Sequence, residues 1–323
     1  MPEPLSAPYP LDRAARIYVA GHRGLVGSAV WRALEARGCT DLVGATSAEL
    51  DLRDRAAVEA FFDRARPAVV VDAAARVGGI LANATYPADF LSDNLRIQVN
   101  LMDAAVRTGV QRFLFLGSTC IYPRLAPQPI TEDSLLTGPL EETNDAYAIA
   151  KISGVLQVQA IRRQHGLPYV SAMPTNLYGP GDNFSPTGSH VLPAMVRRFH
   201  EAVRDGAREV VCWGTGTPRR EFLHSDDVAS AVLFLLEHYD DPVPINIGVG
   251  EDVSIRELAE TVADVVGYDG TITWDTTKPD GTPRKLLSVD RINSLGWKAS
   301  ISLRDGLAST YRWYLQNEDR LRG

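Results

Sequence analysis

Three polar side chains near the middle of the sequence could transfer a proton to or from a carbonyl group. Tyr147 and Lys151 are four residues apart, so a helix would place both side chains on one face, about one turn apart. A neighbouring ammonium lowers the pKa of a phenol, which would let Tyr147 exchange a proton with a carbonyl or an alcohol near neutral pH. Ser118 follows a predicted buried strand over residues 112–117, and its hydroxyl could hold the same oxygen atom.

A glycine-rich turn lies near the start of the sequence. Residues 21–27, with the sequence GHRGLVG, follow a predicted strand over residues 16–20 and precede a predicted helix over residues 28–37. Glycines let the backbone turn tightly and approach a pyrophosphate, and the N-terminus of the helix supplies N–H donors and a positive dipole end. The G-x-x-G-x-x-G spacing at this position predicts a dinucleotide-binding site.

The residues after the second predicted strand (residues 41–44) bear on which dinucleotide binds. An acidic residue there would accept a hydrogen bond from the ribose 2′-OH of NAD. No acid occurs over residues 44–47, and the first one is Glu49. Arg23, inside the glycine loop, could reach a 2′-phosphate. We therefore predict NADP(H) as the cofactor, the alternative for Arg23 being a solvated surface charge.

The positions of the predicted elements indicate the fold class. Apolar runs over residues 68–75 and 112–117 are typical of strands buried on both faces of a parallel sheet. Helical spacing over residues 55–66 and 90–108 alternates with them, which predicts an α/β fold with a doubly wound parallel sheet. The second half predicts a smaller domain that shares its base with the first. Its predicted elements are a Gly/Pro-rich functional or hinge loop at 179–188, helices at 190–204, 226–239 and 254–266, strands at 208–213 and 244–248, and a final helix.

Composition and charge exclude several classes of protein. The chain has 323 residues, of which 45% are hydrophobic and 23% charged, as in an ordinary globular protein. The formal net charge of -7 argues against nucleic acid or an anionic membrane as the main partner. The apolar runs are too short to span a bilayer, and the first residues lack a signal-peptide pattern. Three cysteines without C-x-x-C spacing and histidines without metal-ligand spacing predict free thiols, a cytoplasmic protein and no bound metal.

The glycine loop, Ser118, Tyr147 and Lys151, in this order and spacing, resemble the extended short-chain dehydrogenase/reductase family from Arg16 onward. The resemblance implies a Rossmann-type doubly wound parallel sheet with a smaller C-terminal α/β substrate domain, and it implies a homodimer. We expect a flexible N-terminal extension over residues 1–15, an NADP-binding Rossmann domain over 16–180, and a mainly substrate-binding domain over 181–323 from which a segment near 220–250 returns to the Rossmann domain.

Further segments, spread over both halves, resemble the branch of this family that acts on GDP-4-keto-6-deoxy-D-mannose. They are GHRGLVG at 21–27, AAARVGGI at 73–80, LGSTCIYP at 116–123, NLYGPGDNF at 176–184, SHV at 189–191, REFLHSDD at 220–227 and TTKPDGTPRK at 276–285. The resemblance implies 3,5-epimerisation of this sugar nucleotide, followed by NADPH-dependent reduction of its 4-keto group.

Epimerisation beside a ketone needs a base on one face of the sugar and an acid on the other. By resemblance, Cys120 is the base and His190 the acid, which completes the expected catalytic set with Ser118, Tyr147 and Lys151. Cys120 could instead be a small hydrophobic residue that only packs in the core, as free cysteines in proteins usually do. His190 could equally be a residue at a helix N-terminus without a catalytic part.

Binding residues are also carried over by resemblance. Arg198 and Arg220 match positions that contact the substrate, where a guanidinium can bond two pyrophosphate oxygens, and Trp213 and Asp280 match further substrate positions. Each arginine could instead be a solvated charge, and Trp213 a core residue. The expected cofactor-binding residues are Gly21, His22, Arg23, Gly24, Leu25, Val26, Gly27, Ser47, Ala48, Glu49, Leu50, Asp51, Leu52, Leu116, Gly117, Ser118, Thr119, Lys151, Pro174, Thr175, Asn176, Leu177 and His190.

Three other functions compete with this interpretation. A sugar-nucleotide 4,6-dehydratase would carry Asp-Glu after the rim serine or threonine, whereas this chain has Thr119 and Cys120. A simple 4-epimerase would leave Cys120 and His190 without a task. A non-catalytic dinucleotide-sensing protein would not need both Tyr147 and Lys151. One departure from the branch weakens the expected preference for NADP: some relatives carry arginine where this chain has Ala45 and Ser47.

Overall fold

The computed structural model of the chain describes residues 9–186, 188–278 and 280–321. The strands are β1 (Ile17–Ala20), β2 (Leu42–Val43), β3 (Val69–Asp72), β4 (Arg112–Leu116), β5 (Val170–Pro174), β6 (Asn176–Tyr178), β7 (Glu209–Trp213), β8 (Arg219–Arg220), β9 (Phe222–His224), β10 (Ile245–Ile247), β11 (Val253–Ser254), β12 (Thr271–Asp275) and β13 (Arg284–Lys285). The α-helices are α1 (Leu25–Ala36), α2 (Arg55–Ala65), α3 (Ile80–Thr85), α4 (Pro87–Thr108), α5 (Asp145–His165), α6 (Val191–Asp205), α7 (Ser225–His238), α8 (Ile255–Val266), α9 (Asp290–Ser294) and α10 (Leu303–Leu321).

A six-stranded sheet forms the base of the molecule, with the strand order β10-β5-β4-β3-β1-β2. Every neighbouring pair in this sheet is parallel. Side chains alternate between the two faces: Ile17 and Val19 join the core under α1 and α7, whereas Tyr18 and Ala20 join the core under α2, α4 and α5. Both faces are therefore buried, and the predicted α/β fold with a doubly wound parallel sheet is confirmed.

A second, smaller core lies in the C-terminal half. Helices α6, α8 and α10 pack there around the parallel pair β7 and β12. Two further groups of short strands, β11-β8-β13 and β6-β9, lie in the same half of the chain. Between them the chain returns to the first core, because α7 packs against α1 and β10 pairs with β5 at the edge of the large sheet.

Three element boundaries differ from the predicted ones, two of them at helix starts that contain glycine or proline. Helix α1 begins at Leu25, three residues before the predicted start, because Gly24 is its extended N-cap and the chain turns into the helix at once. Helix α4 begins at Pro87 instead of residue 90, since proline at the first helical position loses no hydrogen bond. The predicted strand over 68–75 ends at Asp72, and the chain then leaves the sheet at its carboxyl edge.

The N-terminal segment contacts the Rossmann core in its described part. Residues 1–8 of the expected extension lie outside the described residues. The Tyr9 hydroxyl donates a hydrogen bond to Asp240 Oδ2 at 2.7 Å. The Tyr9 ring lies 4.6 Å from the Arg112 guanidinium, a cation–π contact at the far end of β4.

One buried carboxylate, that of Glu221, joins the two halves of the chain. Glu221 is 0% exposed, and its Oε1 accepts the N–H groups of Val249 at 2.6 Å and Gly250 at 2.7 Å. Its Oε2 accepts the N–H of Leu287 at 3.1 Å, and its main-chain carbonyl accepts the Asn176 amide at 2.8 Å. The segments that follow β5, β10 and β13 are thus held together by one residue.

Replacing this carboxylate by an amide is expected to destabilise the fold. In Glu221→Gln the side-chain nitrogen cannot accept the Leu287 N–H, so a buried donor loses its partner and the free energy of unfolding falls by about 1–3 kcal/mol. Urea denaturation measures the change. The matched control is Glu260→Gln on the exposed face of α8, which should stay within about 0.5 kcal/mol of the unmodified protein. Equal stability of the two variants would contradict the role given to Glu221.

Candidate active site

The predicted proton-transfer residues lie where β4 ends and α5 passes over it. Ser118 follows β4, and its Oγ accepts the N–H of Cys120 at 3.5 Å. Lys151 is buried on α5, and its Nζ donates to the main-chain oxygen of Leu116 at 2.8 Å. The same Nζ lies 5.9 Å from the centre of the Tyr147 ring. A helix and a strand end are therefore tied together at the carboxyl edge of the sheet, where parallel α/β folds bind ligands.

The pKa of Tyr147 is shifted in the direction opposite to the expected one. We expected the neighbouring ammonium to lower its pKa, but burial raises the pKa of Tyr147, and the charges of Cys120 and Asp72 raise it further. Burial also lowers the pKa of Lys151. Lys151 Nζ donates its hydrogen bond to the Leu116 carbonyl and not to the Tyr147 hydroxyl, so exclusion of water dominates the pKa of Tyr147. The neutral phenol that results is the form that donates a proton to a ketone oxygen.

Cys120 lies in a single 3-10 turn, Thr119–Ile121, directly after Ser118. Its side chain is buried, and burial raises the pKa of the thiol. The strongest opposing influence is the ammonium of Lys285, followed by the Ser118 hydroxyl and Lys151. Lys285 belongs to β13, and we predicted no role for it from the sequence, although it lies in the quoted segment 276–285. It pairs in register with Arg220 of β8.

His190 is the N-cap residue of α6, at the end of the loop predicted over 179–188. His190 is exposed, but desolvation by the surrounding protein lowers its pKa, so the neutral imidazole is favoured. The segment before it packs against the segment that follows β3: a Cβ at Gly79 would lie 3.3 Å from the Ser189 carbonyl oxygen. This contact brings His190 toward the carboxyl edge of the sheet.

The glycine loop has the shape that a pyrophosphate requires. Gly21 has a φ of +74°, and a Cβ at Gly27 would lie 2.1 Å from the Gly21 carbonyl oxygen. The backbone of the helix therefore packs directly on the backbone of the turn, which only glycine permits. The first turn of α1 contains no acidic residue, and Gly24, the N-cap, has no side chain that could accept a hydrogen bond from the N–H groups of that turn. These exposed donors fit a nucleotide pyrophosphate.

The surroundings of β2 explain why no acid follows that strand. A Cβ at Gly44 would lie 2.6 Å from the His22 ring, so this ring fills the place that an acidic side chain would occupy. The next acid, Glu49, is engaged locally: its Oε2 accepts both the N–H and the hydroxyl of Thr46, each at 2.8 Å. Arg23 is exposed in the loop beside them, with its charge near His22 and Glu49.

The other predicted cofactor residues follow strands of the large sheet. Residues 47–52 follow β2, and residues 116–119 span the end of β4. Residues 174–177 span the junction of β5 and β6, where the Thr175 N–H donates to the Ile247 carbonyl at 3.0 Å. Since these strands are parallel, all three groups lie at the same edge as the glycine loop.

The predicted substrate residues lie in the smaller half of the chain. Trp213, at the end of β7, is 67% exposed, so it is not a core residue, and Lys278 Nζ lies 5.7 Å from its ring centre. Arg198 donates to the Val211 carbonyl on the same strand at 2.8 Å. Arg198, on α6, is thus bonded to the strand that ends at Trp213.

Arg220 and Asp280 lie beside each other in the same half. A Cβ at Gly281 would lie 3.1 Å from the Arg220 guanidinium, and burial lowers the pKa of Arg220. Asp280 accepts the N–H of Thr215 at 2.9 Å and its hydroxyl at 2.7 Å. Pro279, within the quoted segment 276–285, lies outside the described residues. Arg220 also pairs with Lys285 across β8 and β13, so the arginine and the Cys120 thiol share one neighbour.

Three further properties of the molecule bear on the site. Within residues 9–186, 188–278 and 280–321, no three acidic, histidine or cysteine side chains are grouped so that they could hold a metal ion. In the same part of the chain, no helix is long and apolar enough to cross a membrane. The three cysteines are free and buried.

Comparison with known proteins connects this arrangement to a family. The model of the NAD dependent epimerase/dehydratase family matches residues 17–248. GDP-L-fucose synthase 1 of Arabidopsis thaliana is 60% identical over 306 residues, covering 95% of each chain. GDP-L-fucose synthase of Escherichia coli K12 is 55% identical over 317 residues, covering 95% of this chain and 99% of the relative. A crystal structure of a GDP-L-fucose synthetase from Naegleria fowleri bound to NADP superposes with a TM-score of 0.90 at 30% identity, covering 99% of this chain and 100% of that one.

These likenesses confirm the resemblance to the extended short-chain dehydrogenase/reductases and to their GDP-sugar branch. They extend over both halves of the chain, so a shared cofactor domain alone does not account for them. A nicotinamide cofactor accords with the family model and with the NADP-bound neighbour. The chain belongs to the NAD dependent epimerase/dehydratase family, among relatives named GDP-L-fucose synthase.

Proposed function

We propose that the chain converts GDP-4-keto-6-deoxy-D-mannose into GDP-L-fucose, by 3,5-epimerisation and then NADPH-dependent reduction of the 4-keto group. The observation that carries the proposal is the position of Cys120: a buried thiol two residues beyond Ser118, beside the Lys285 ammonium, at the edge that also holds Tyr147 and Lys151. A reductase without an epimerase step would have no use for this thiol.

In the epimerisation, Cys120 removes the protons next to the ketone. The C3 and C5 protons of the sugar are acidic because the enolate delocalises onto the C4 oxygen. Lys285 and Lys151 favour the thiolate by their charge, against the burial that favours the thiol. His190, after taking up a proton from solvent, donates it on the opposite face of the sugar, which inverts the centre. Before the second centre reacts, the Cys120 thiol releases its proton to solvent and His190 takes up another.

In the reduction, Tyr147 donates its proton to the C4 oxygen, which Ser118 holds by a hydrogen bond. The raised pKa of Tyr147 keeps this proton in place until the oxygen acquires negative charge. Lys151 then stabilises the phenolate with its ammonium. When bound at the glycine loop, NADPH supplies the hydride for C4. Arg198, Arg220, Trp213 and Asp280 hold the nucleotide part of the substrate.

The assembly and the compartment are part of the proposal. Helices α4 and α5 pack on each other and expose Val99, Ile149 and Leu156 to solvent, at 37%, 44% and 43%. Apolar side chains on two adjacent helices suit a twofold contact, which supports a homodimer. Free buried cysteines suit the reducing conditions of the cytoplasm.

Substitution of single residues should separate the two half-reactions. Tyr147→Phe should lower reduction by about 10²–10⁴-fold, because the positioned proton donor is lost, while the substrate still exchanges its C3 and C5 protons with D₂O. Cys120→Ala should abolish that exchange, because a methyl group cannot take up a proton. NMR of the substrate in D₂O and NADPH absorbance follow the two steps.

The matched control is Cys39→Ala, since Cys39 is also a buried free thiol but lies after α1, away from the carboxyl edge of the sheet. It should keep both activities. Exchange at the unmodified rate in Cys120→Ala would remove Cys120 from the mechanism and leave the 4-epimerase interpretation standing.

The cofactor preference should depend on Arg23. We expect a higher kcat/KM with NADPH than with NADH in the unmodified protein. Arg23→Ala should lower the NADPH value by about tenfold, the loss of one charge-assisted hydrogen bond, and should leave the NADH value unchanged. Steady-state kinetics with both cofactors measures this, with Arg32→Ala as the control because Arg32 on α1 is paired with Asp226. Equal kcat/KM values for the two cofactors in the unmodified protein would refute the NADP assignment.

A further inference from the structure

A buried aspartate lies at the carboxyl edge of the sheet, the edge that also holds the predicted catalytic residues. Asp72 is the last residue of β3 and is 1% exposed. It pairs in register with Ala20 of β1 and Phe115 of β4, so it occupies the centre of the sheet. Its side chain points to the same face as that of Val70, two residues earlier, which is the face that α5 covers.

The hydrogen bonds of Asp72 use only half of its carboxyl group. Oδ1 accepts the N–H of Ala74 at 3.2 Å. Oδ2 is fully buried and has no hydrogen-bond partner among the described residues. A buried carboxyl oxygen without a partner costs free energy, so its retention calls for a compensating interaction.

The charged and titratable groups that face Asp72 are Lys151 and Tyr147 on α5 and Tyr18 on β1. Burial raises the pKa of Asp72 to about 6, and Lys151, the only cation among these groups, lowers it against that effect. In return, Asp72 raises the pKa of Lys151. Each group favours the charged form of the other.

The surroundings of Lys151 show why such a counter-charge is needed. Lys151 is 4% exposed, and its Nζ donates a hydrogen bond to the Leu116 carbonyl. The Nζ also lies 4.7 Å from the centre of the Phe115 ring and 5.9 Å from that of the Tyr147 ring. A carbonyl and two aromatic rings do not neutralise a buried ammonium. Asp72 and Cys120 are the groups that favour its charged form, and Cys120 carries a charge only as the thiolate.

We propose that Asp72 is a positioning residue for Lys151, whose buried carboxylate holds that side chain in its ammonium form beneath Tyr147. The inference deepens the proposed function, since the ammonium is what stabilises the Tyr147 phenolate during reduction. It assigns no part in the epimerisation to Asp72. The competing interpretation is that Asp72 only closes the turn at residues 72–74 through its bond to Ala74.

The substitution Asp72→Asn separates these interpretations. Asparagine keeps an oxygen that accepts the Ala74 N–H, so the turn persists, but the negative charge is lost. The chain contains only four lysines, Lys151, Lys278, Lys285 and Lys298, so protein labelled with ¹³C at lysine Cε gives few signals, and Lys151→Arg assigns the signal of interest. This readout needs no substrate.

In a pH titration by NMR, the Lys151 signal of Asp72→Asn should change at a pH about one unit or more below that of the unmodified protein. The signals of Lys278 and Lys298 should be unchanged. If Asp72→Asn does not fold, Asp72→Glu and Asp72→Gln are compared instead, because their side chains match in size and differ in charge. Only the Gln variant should then show the Lys151 titration at lower pH. A Lys151 titration that stays at the same pH in the uncharged variant overturns the proposal.

The pH dependence of kcat tests the same proposal in the reaction itself. Asp72→Asn should lower kcat for reduction at alkaline pH and move the alkaline limb of its pH profile to lower pH. Loss of the carboxylate lowers the pKa of Lys151 and of Tyr147 alike, so both effects have the same sign. The KM for NADPH should change little, and exchange of the C3 and C5 protons should fall less than reduction, because Lys285 favours the Cys120 thiolate more strongly than Lys151 does. A pH profile for reduction that is the same in Asp72→Asn as in the unmodified protein overturns the proposal. Absence of turnover in the unmodified protein refutes the proposed function instead, and the NMR titration then decides the role of Asp72.

Discussion

The buried carboxylate of Glu221 sets the relation between the two halves of the molecule. Three N–H groups from two separate segments converge on it, and its own carbonyl accepts a side chain from a third. A Cβ at Gly248 would lie 2.3 Å from Glu221 Oε1, so the approach is possible only because a glycine stands there. Arg220 and Lys285 are next to this junction, and it fixes their distance from the residues that follow β4.

Exclusion of water gives every reactive group of the site a preference for its neutral form. Burial raises the pKa of Tyr147 and of Cys120, and it lowers the pKa of Lys151, His190 and Lys285. Opposite charges work against this preference at Lys151 and Cys120. In the proposed mechanism, the tyrosine and the cysteine therefore carry their protons until the charge of a bound substrate or intermediate makes them move.

Local patterns were sufficient to predict the fold and the first elements of the site. The apolar runs of β3 and β4, the glycine spacing before α1 and the four-residue step from Tyr147 to Lys151 are each decided within a few residues. They predicted a parallel α/β sheet and a reactive group at its carboxyl edge.

Contacts between distant segments could not be predicted in this way. Lys285 of β13 acts on Cys120 although 165 positions separate them in the sequence, and Asp72 of β3 acts on Lys151 of the helix that covers its face of the sheet. The pKa of Tyr147 was predicted in the wrong direction, because spacing along a helix reveals the neighbouring ammonium but not the depth of burial. The roles assigned to Cys120, His190 and the binding residues remain predictions.

The burial of Cys120 has a consequence for the chemical durability of the protein. Oxidants and alkylating reagents attack the thiolate, and a buried thiol with a raised pKa offers them little of it. In the proposed mechanism Cys120 must nevertheless lose its proton twice in each cycle, once for C3 and once for C5. If the thiolate forms only when substrate is bound, the sulfur is protected from oxidation to sulfenic and sulfinic acids, so the desolvation that disfavours the thiolate also preserves the cysteine.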